Sequence, residues 1–181
     1  MSLSRRVIVE VALTATASVV LPAWGQAGAQ DPGPRSGDVL VAVGNAAAAA
    51  LRADDIRAGA PPVLAWPMDP VTRRVRNQRL FNQVLLLRLP QRGDVTSDDS
   101  LLAFSAICQH AACVVSGWLP ESCLLLCPCH GSRYDPANAG AVVAGPAPLP
   151  LPSLPLQVVQ GEIVAAGPFS AHVGGHTGRT D

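Results

Sequence analysis

Lysine is absent from this chain. All thirteen basic side chains are arginine, and thirteen acidic residues bring the formal net charge to zero. Past the first thirty residues the balance is 11 arginines against 12 acids, a net of −1, which gives no electrostatic ground for nucleic acid as a partner. Aromatics are scarce, with one Tyr, three Phe and three Trp. No internal repeat is visible, and nothing marks a second domain in 181 residues, a length that suits one domain with an N-terminal appendage. An uninterrupted apolar run of the roughly 20 residues a membrane-spanning helix wants is also missing. What the chain has in quantity is 17 Pro and 16 Gly, a composition suited to a small, loop-rich all-β domain rather than a helical bundle.

The longest apolar run, Val7 to Leu21, contains Glu10, follows Ser4-Arg5-Arg6 and precedes Pro22 and the small-residue stretch Ala27-Gly28-Ala29. A basic start, an apolar middle and a small-x-small end make an export signal, and the paired arginines resemble a twin-arginine signal. Residues 1–29 are therefore expected to be cleaved after Ala29, with an uncleaved membrane anchor as the alternative. Residues 30–60 read as a linker and a short helix. Asp38 to Val43 is a first strand or the linker's end, and Asn45 caps an alanine run expected to be helical to about Ile56.

A folded domain is expected over residues 61–168. Val63 to Trp66, Gln83 to Leu89, Leu101 to Ile107 and Ala141 to Ala144 read as strands, and Leu156 to Val159 with Ile163 to Ala166 as a hairpin. Pro67 to Pro70 is turn chemistry, and residues 94–100 form a polar loop. Arginines 73, 74, 76 and 79 stand close together without a compensating acid, as a solvated hairpin face or a docking patch for an acidic partner. The proline-rich stretch Gly145 to Pro152 can only be a stiff extended loop. Residues 169–181, with His172 and His176, read as a flexible tail.

All five cysteines and two of the four histidines lie between Ile107 and Asp135, as CQHAAC and CPCHGSRYD. Cys108-x-His110 and Cys127-x-x-His130 can converge from two loops on one metal centre. In an exported chain, cysteines more commonly form disulfides, but stapling alone leaves the two nearby histidines unexplained. Zinc on a Cys2His2 set is the other metal option, although the intervening loop is not a ββα finger.

The two boxes resemble those of Rieske [2Fe–2S] proteins, C-x-H followed by C-x-x-H, and the resemblance extends over roughly Val63 to Gly167. It implies a Rieske-type antiparallel β sandwich with a small cluster-binding subdomain of two loops, about residues 105–150. One [2Fe–2S] cluster would be held by Cys108 and Cys127 on one iron and His110 and His130 on the other. Neutral imidazoles in place of thiolates raise the potential, to about −150 to +300 mV in such centres. The resemblance further implies a Cys113–Cys129 disulfide, as in the electron-transfer branch that includes cytochrome bc complex and arsenite-oxidase small subunits. Ser132 and Tyr134 match hydroxyl residues that hydrogen-bond the cluster's sulfur atoms and tune its potential, and Gly145-Pro-Ala-Pro148 matches the loop covering the cluster.

The first box departs from the cytochrome bc pattern, with Ala111-Ala112 where Leu-Gly is usual, and Cys123 has no counterpart. The resemblance implies a one-electron carrier with no catalysis of its own, and the N-terminal signal adds export to the periplasm by the twin-arginine route. It would serve an arsenite-oxidase-like molybdenum enzyme, or a quinol–cytochrome c reductase with a cytochrome b or cytochrome c as redox partner. It is membrane-bound only if the N-terminal segment is retained. The alternative is a secreted zinc-binding or disulfide-stapled interaction module.

Overall fold

The layout follows from one short strand whose side chains are buried on both faces. The computed structural model describes residues 33–45, 47–90 and 100–175. Val84–Arg88 (β3) reads VLLLR, and successive side chains of a strand point to opposite faces. Val84 and Leu86 enter an inner core with Leu40, Ala65, Ala103 and Ile163. Leu85 and Leu87 enter an outer core with Phe104, Val115, Leu125 and Tyr134. Each fully buried Leu stabilises the fold by roughly 1.5–3 kcal/mol relative to exposure. Through β3 the scaffold and the cysteine-rich loops share one packed interior.

In chain order the other strands are Val39–Ala42 (β1), Val63–Met68 (β2), Leu101–Ser105 (β4), Gly117–Leu119 (β5), Leu124–Leu126 (β6), Arg133–Asp135 (β7), Ala141–Ala144 (β8), Leu156–Val159 (β9) and Glu162–Ala165 (β10). They form a six-stranded sheet ordered β4-β3-β2-β1-β10-β9 and a four-stranded sheet ordered β5-β6-β7-β8. Every ladder is antiparallel. The small sheet carries Leu125 and Tyr134 inward against the outer core. Among the described residues no helix is long and apolar enough to cross a membrane. Residues 1–29, expected to be an export signal, lie outside the described residues, as do 91–99 of the expected polar loop.

Two expectations need correction. The helix after Asn45 does not form: only Ala53–Asp55 make a 3-10 turn. Ala50 instead bridges Val41, Leu51 N–H donates to Leu40 O at 2.8 Å, and Ile163 N–H donates to Leu51 O at 2.9 Å. Hydrogen bonds to β1 and β10 outweigh the alanines' helix propensity, which is only a weak prior over so short a run. Within residues 30–60 the strand reading of Asp38 to Val43 holds over the linker reading, because β1 lies between β2 and β10 in the large sheet. Finally, residues 169–175 of the expected tail are packed down. Ser170 N–H donates to Ser153 O at 2.8 Å, Ser153 N–H donates to Ser170 Oγ at 2.9 Å, and Phe169 rests against the inner core. Residues 176–181 are outside the described residues.

The turn after β2 begins later than its prolines suggest, since Pro67 and Met68 belong to the strand. Asp69 Oδ1 accepts the N–H groups of Val71 and Thr72 at 2.9 and 3.0 Å, and these donors hold its carboxyl below the usual carboxylate range. The arginine run is not uniformly solvated either. Arg76 is buried and grips Asp38 with two hydrogen bonds, Nε to Oδ2 at 2.8 Å and Nη2 to Oδ1 at 2.9 Å. Asp38, 3% exposed, opens β1, so this fork ties the arginine turn to the centre of the sheet. Asp38→Ala removes both short hydrogen bonds of the buried guanidinium and leaves it the longer contact to Asp69 at 3.9 Å, so denaturant unfolding should show a loss of about 3 kcal/mol, the low end for breaking a buried pair. A loss under about 1 kcal/mol would mean that Arg76 reaches solvent on substitution.

Candidate metal centre

Two loops wired alike hold the cysteine–histidine boxes. In the first, which follows β4, Cys108 N–H donates to Cys113 O at 2.8 Å and Ala112 N–H donates back to Cys108 O at 3.2 Å. In the second, between β6 and β7, Cys127 N–H donates to Ser132 O at 2.8 Å and Gly131 N–H to Cys127 O at 3.0 Å. The same offsets, five forward and four back, turn each chain tightly around its cysteine. The fourth residue after each cysteine must then take positive φ, +55° at Ala112 and +75° at Gly131. Only the second loop has glycine there. The exchange of Gly for Ala in the first box therefore keeps the backbone path, at the cost of the left-handed conformation of an L-residue.

The loops are joined by a disulfide between Cys113 and Cys129, with Cα atoms 6.5 Å apart. Cys108 and Cys127 stay as free thiols, each about 1% exposed, within the outer core. His110 and His130 are exposed. Their Nδ1 atoms face each other at 3.2 Å and their rings meet edge to face at 4.8 Å between centroids. The result has two tiers, thiols inside and imidazoles at the surface. The sulfurs of Cys113, Cys127 and Cys129 also lie within 4.8 Å of one another, but two of the three are already bonded together, so that trio offers one thiol and is no metal set.

The thiols differ in acidity. Burial pushes Cys108 up, but the Tyr134 hydroxyl, the His110 N–H, the Cys127 thiol and the Ser132 hydroxyl together more than offset it, and its pKa lies below the ordinary thiol value. Burial raises Cys127, the Cys129 and His130 N–H groups oppose it, and the neighbouring Cys108 pushes it up again, leaving it above the ordinary value. Burial, then the adjacent Cys108, raises Tyr134, so the phenol keeps its proton and can donate. The pocket thus favours a negative sulfur at Cys108, the form that binds a metal, and resists a second one at Cys127.

Tyr134 Oη lies 3.1 Å from Cys108 Sγ and accepts Gln109 N–H at 3.1 Å. Ser132 Oγ accepts Ala147 N–H at 3.2 Å, so the stiff loop after β8 is fastened to the second box while the serine keeps its own proton to give. Gly145 takes φ +87°, and a Cβ there would stand 2.7 Å from Ser132 N and 2.9 Å from Gly131 O. Only glycine lets the two backbones approach this closely. Cys123 sits apart, in the turn between β5 and β6, with Sγ 3.6 Å from Pro120 O. Trp118 is half-buried against the outer core.

The structure thus gathers all eight residues singled out in the two boxes. The matched wiring of the loops was missed, though Ala112 and Gly131, small residues four after each first cysteine, carry its signal. Gln109, the residue inside the first box, gave no sign of its contacts.

Residues 66–155 match the family described as Rieske [2Fe-2S] domain. The chain is similar to the putative respiratory nitrate reductase subunit Rieske of Haloferax mediterranei, 44% identical over 73 residues, 40% of this chain and 32% of that one. It is also similar to the cytochrome b6-f complex iron-sulfur subunit of Chlorobaculum tepidum, 39% identical over 72 residues, 40% of this chain and 38% of the relative. The match thus spans about a third of each relative's length. Among solved structures, the soluble domain of Rieske protein II from Sulfolobus acidocaldarius is 35% identical over 44% of this chain and 48% of its own, with a TM-score of 0.38.

Ala112→Gly removes a left-handed penalty of about 1–2 kcal/mol and adds back glycine's chain entropy of roughly 0.5–1. Thermal unfolding should therefore show a gain of roughly 0.5–1 kcal/mol, and a lowered midpoint would mean that the Ala112 methyl packs favourably.

Proposed function

With residues 66–155 a Rieske [2Fe–2S] domain, we propose that this chain is a one-electron carrier serving a respiratory oxidoreductase. The observation that carries the reading is the two-tier donor set, two buried thiols beneath two exposed imidazoles whose Nδ1 atoms face each other. That set suits a cluster with one sulfur-ligated and one imidazole-ligated iron. Cys108 and Cys127 would hold the first iron, His110 and His130 the second. When bound, the cluster supplies reversible one-electron chemistry at a potential set by its ligands and hydrogen bonds.

The protein's own part is electrostatic and steric. Tyr134 and Ser132 offer hydroxyl protons to sulfur, and the backbone N–H groups of His110, Cys129 and His130 add partial positive charge beside Cys108 and Cys127. Donors to sulfur favour the extra electron, which raises the potential. The disulfide joins the two boxes and the proline loop is fastened to the second, which limits reorganisation on electron transfer. His110, Ala111 and His130 are exposed, as are Pro146, Pro148 and Leu149 of the proline loop, so a partner would reach the imidazole edges at the surface.

The partner belongs to the same proposal. The relatives' names point to respiratory nitrate reductase and cytochrome b6-f assemblies. The sequence resemblance adds an arsenite-oxidase-like molybdenum enzyme or a quinol–cytochrome c reductase. The arginine-paired N-terminus supports twin-arginine export to the periplasm after cluster insertion. Recovery of a shortened chain in the periplasmic fraction fits this. A full-length chain in the membrane would favour an anchored subunit.

Cys108→Ser and His130→Ala should each abolish the visible absorbance and the reduced-state EPR signal. Tyr134→Phe should keep both and lower the midpoint potential in voltammetry. One hydrogen bond is worth about 1 kcal/mol, roughly 40 mV for a one-electron couple at 59 mV per tenfold. An unchanged potential in Tyr134→Phe would remove the phenol from the tuning role.

A further inference from the structure

We propose that Gln109, held from behind by the strap of residues 169–175, is the positioning residue that aims the Tyr134 hydroxyl at the Cys108 sulfur. The inference rests on the electron-carrier reading. Gln109 stands between Cys108 and His110 and is 2% exposed. Its backbone N–H donates to Tyr134 Oη, and the same oxygen lies 3.1 Å from Cys108 Sγ. A phenol oxygen that accepts an N–H on one side keeps its own proton for the other, here the sulfur. The strength of that donation depends on where Gln109 holds its backbone.

The side chain fixes that place. Gln109 Nε2 donates to the carbonyl oxygen of His172 at 3.0 Å. Its Oε1 is buried with no hydrogen-bonding partner among the described residues, a costly arrangement that an apolar side chain of similar size would avoid. Packing alone does not account for an amide here; the bond to the strap does.

The strap is itself fastened at both ends. Ser170 and Ser153 exchange two hydrogen bonds, and Ser153 bridges Phe104 of β4. At the far end Gly174 is buried against the Phe81 ring, where a Cβ would collide. A Cβ on Gly175 would run into the Gln109 carbonyl oxygen and stand 2.8 Å from His110 O. Two successive glycines thus let the strap lie directly on the backbone of the first box, at the residues beside and at the candidate ligand. The large sheet is in this way tied to the hydrogen bond that tunes one sulfur.

The test uses the full chain carrying its cluster, with Gln109→Leu and, remote in sequence, Gly175→Ala. Both variants should lower the midpoint potential in the direction of Tyr134→Phe and by no more than it does. Both should speed hydrogen–deuterium exchange at the Gln109 amide, and Gln109→Leu should hold its unfolding midpoint, which a purely structural role would not allow. Combined with Tyr134→Phe, neither should shift the potential further, because the effect passes through the phenol. The proposal is overturned by an unchanged potential with the cluster present, or by an equal shift in the Tyr134→Phe background. A wild-type protein without the EPR signal would instead sink the electron-carrier reading itself.

Discussion

Two thiols buried side by side in an apolar core must be able to carry negative charge, and that requirement governs what surrounds them. An uncompensated anion there would be prohibitive. Among the described residues the answer is hydrogen-bond donors: the Tyr134 and Ser132 hydroxyls, and backbone N–H groups that the tight loops turn inward. The buried Arg76 is engaged elsewhere, by Asp38. The matched hydrogen bonding of the loops has the same purpose. A chain folded five residues forward and four back around a cysteine presents its following amides to the sulfur. This turn demands positive φ at Ala112 and Gly131, which is strained for the alanine and free for the glycine.

Rigidity reaches the site through the scaffold. β3 packs one face into the inner core and the other into the outer core that encloses the thiols. β4 runs directly into the first box, with Ala106 N–H bonded to Gln83 O at 2.9 Å. Tyr134, the largest fully buried side chain, fills the outer core with its ring and meets Cys108 with its hydroxyl. One residue therefore serves packing and electrostatics together. The disulfide, the proline loop and the C-terminal strap close the arrangement from three sides.

Much of this was legible in the sequence because metal chemistry fixes residue types at fixed spacings. Cys108, His110, Cys127 and His130 could be singled out without coordinates, and Cys113 and Cys129 by resemblance. The strands were legible from apolar runs such as QVLLLRL. What was not legible depended on long-range or backbone partners. The alanine run after Asn45 suggests a helix, but its hydrogen bonds go to β1 and β10. Arg76 looks solvated until Asp38, 38 residues upstream, comes beside it. The strap reads as a frayed tail because its key acceptor, the His172 carbonyl, has no side-chain identity to read.

The central claim is that two buried thiols and two surface imidazoles hold a two-iron cluster rather than a single metal ion. The most direct test is metal and labile-sulfide analysis of the purified chain, combined with pulsed EPR of the reduced protein grown with nitrogen-15 histidine. The account predicts two irons and two inorganic sulfides per chain, with hyperfine coupling to two histidine nitrogens. One zinc per chain, no labile sulfide and no reduced-state signal would contradict it.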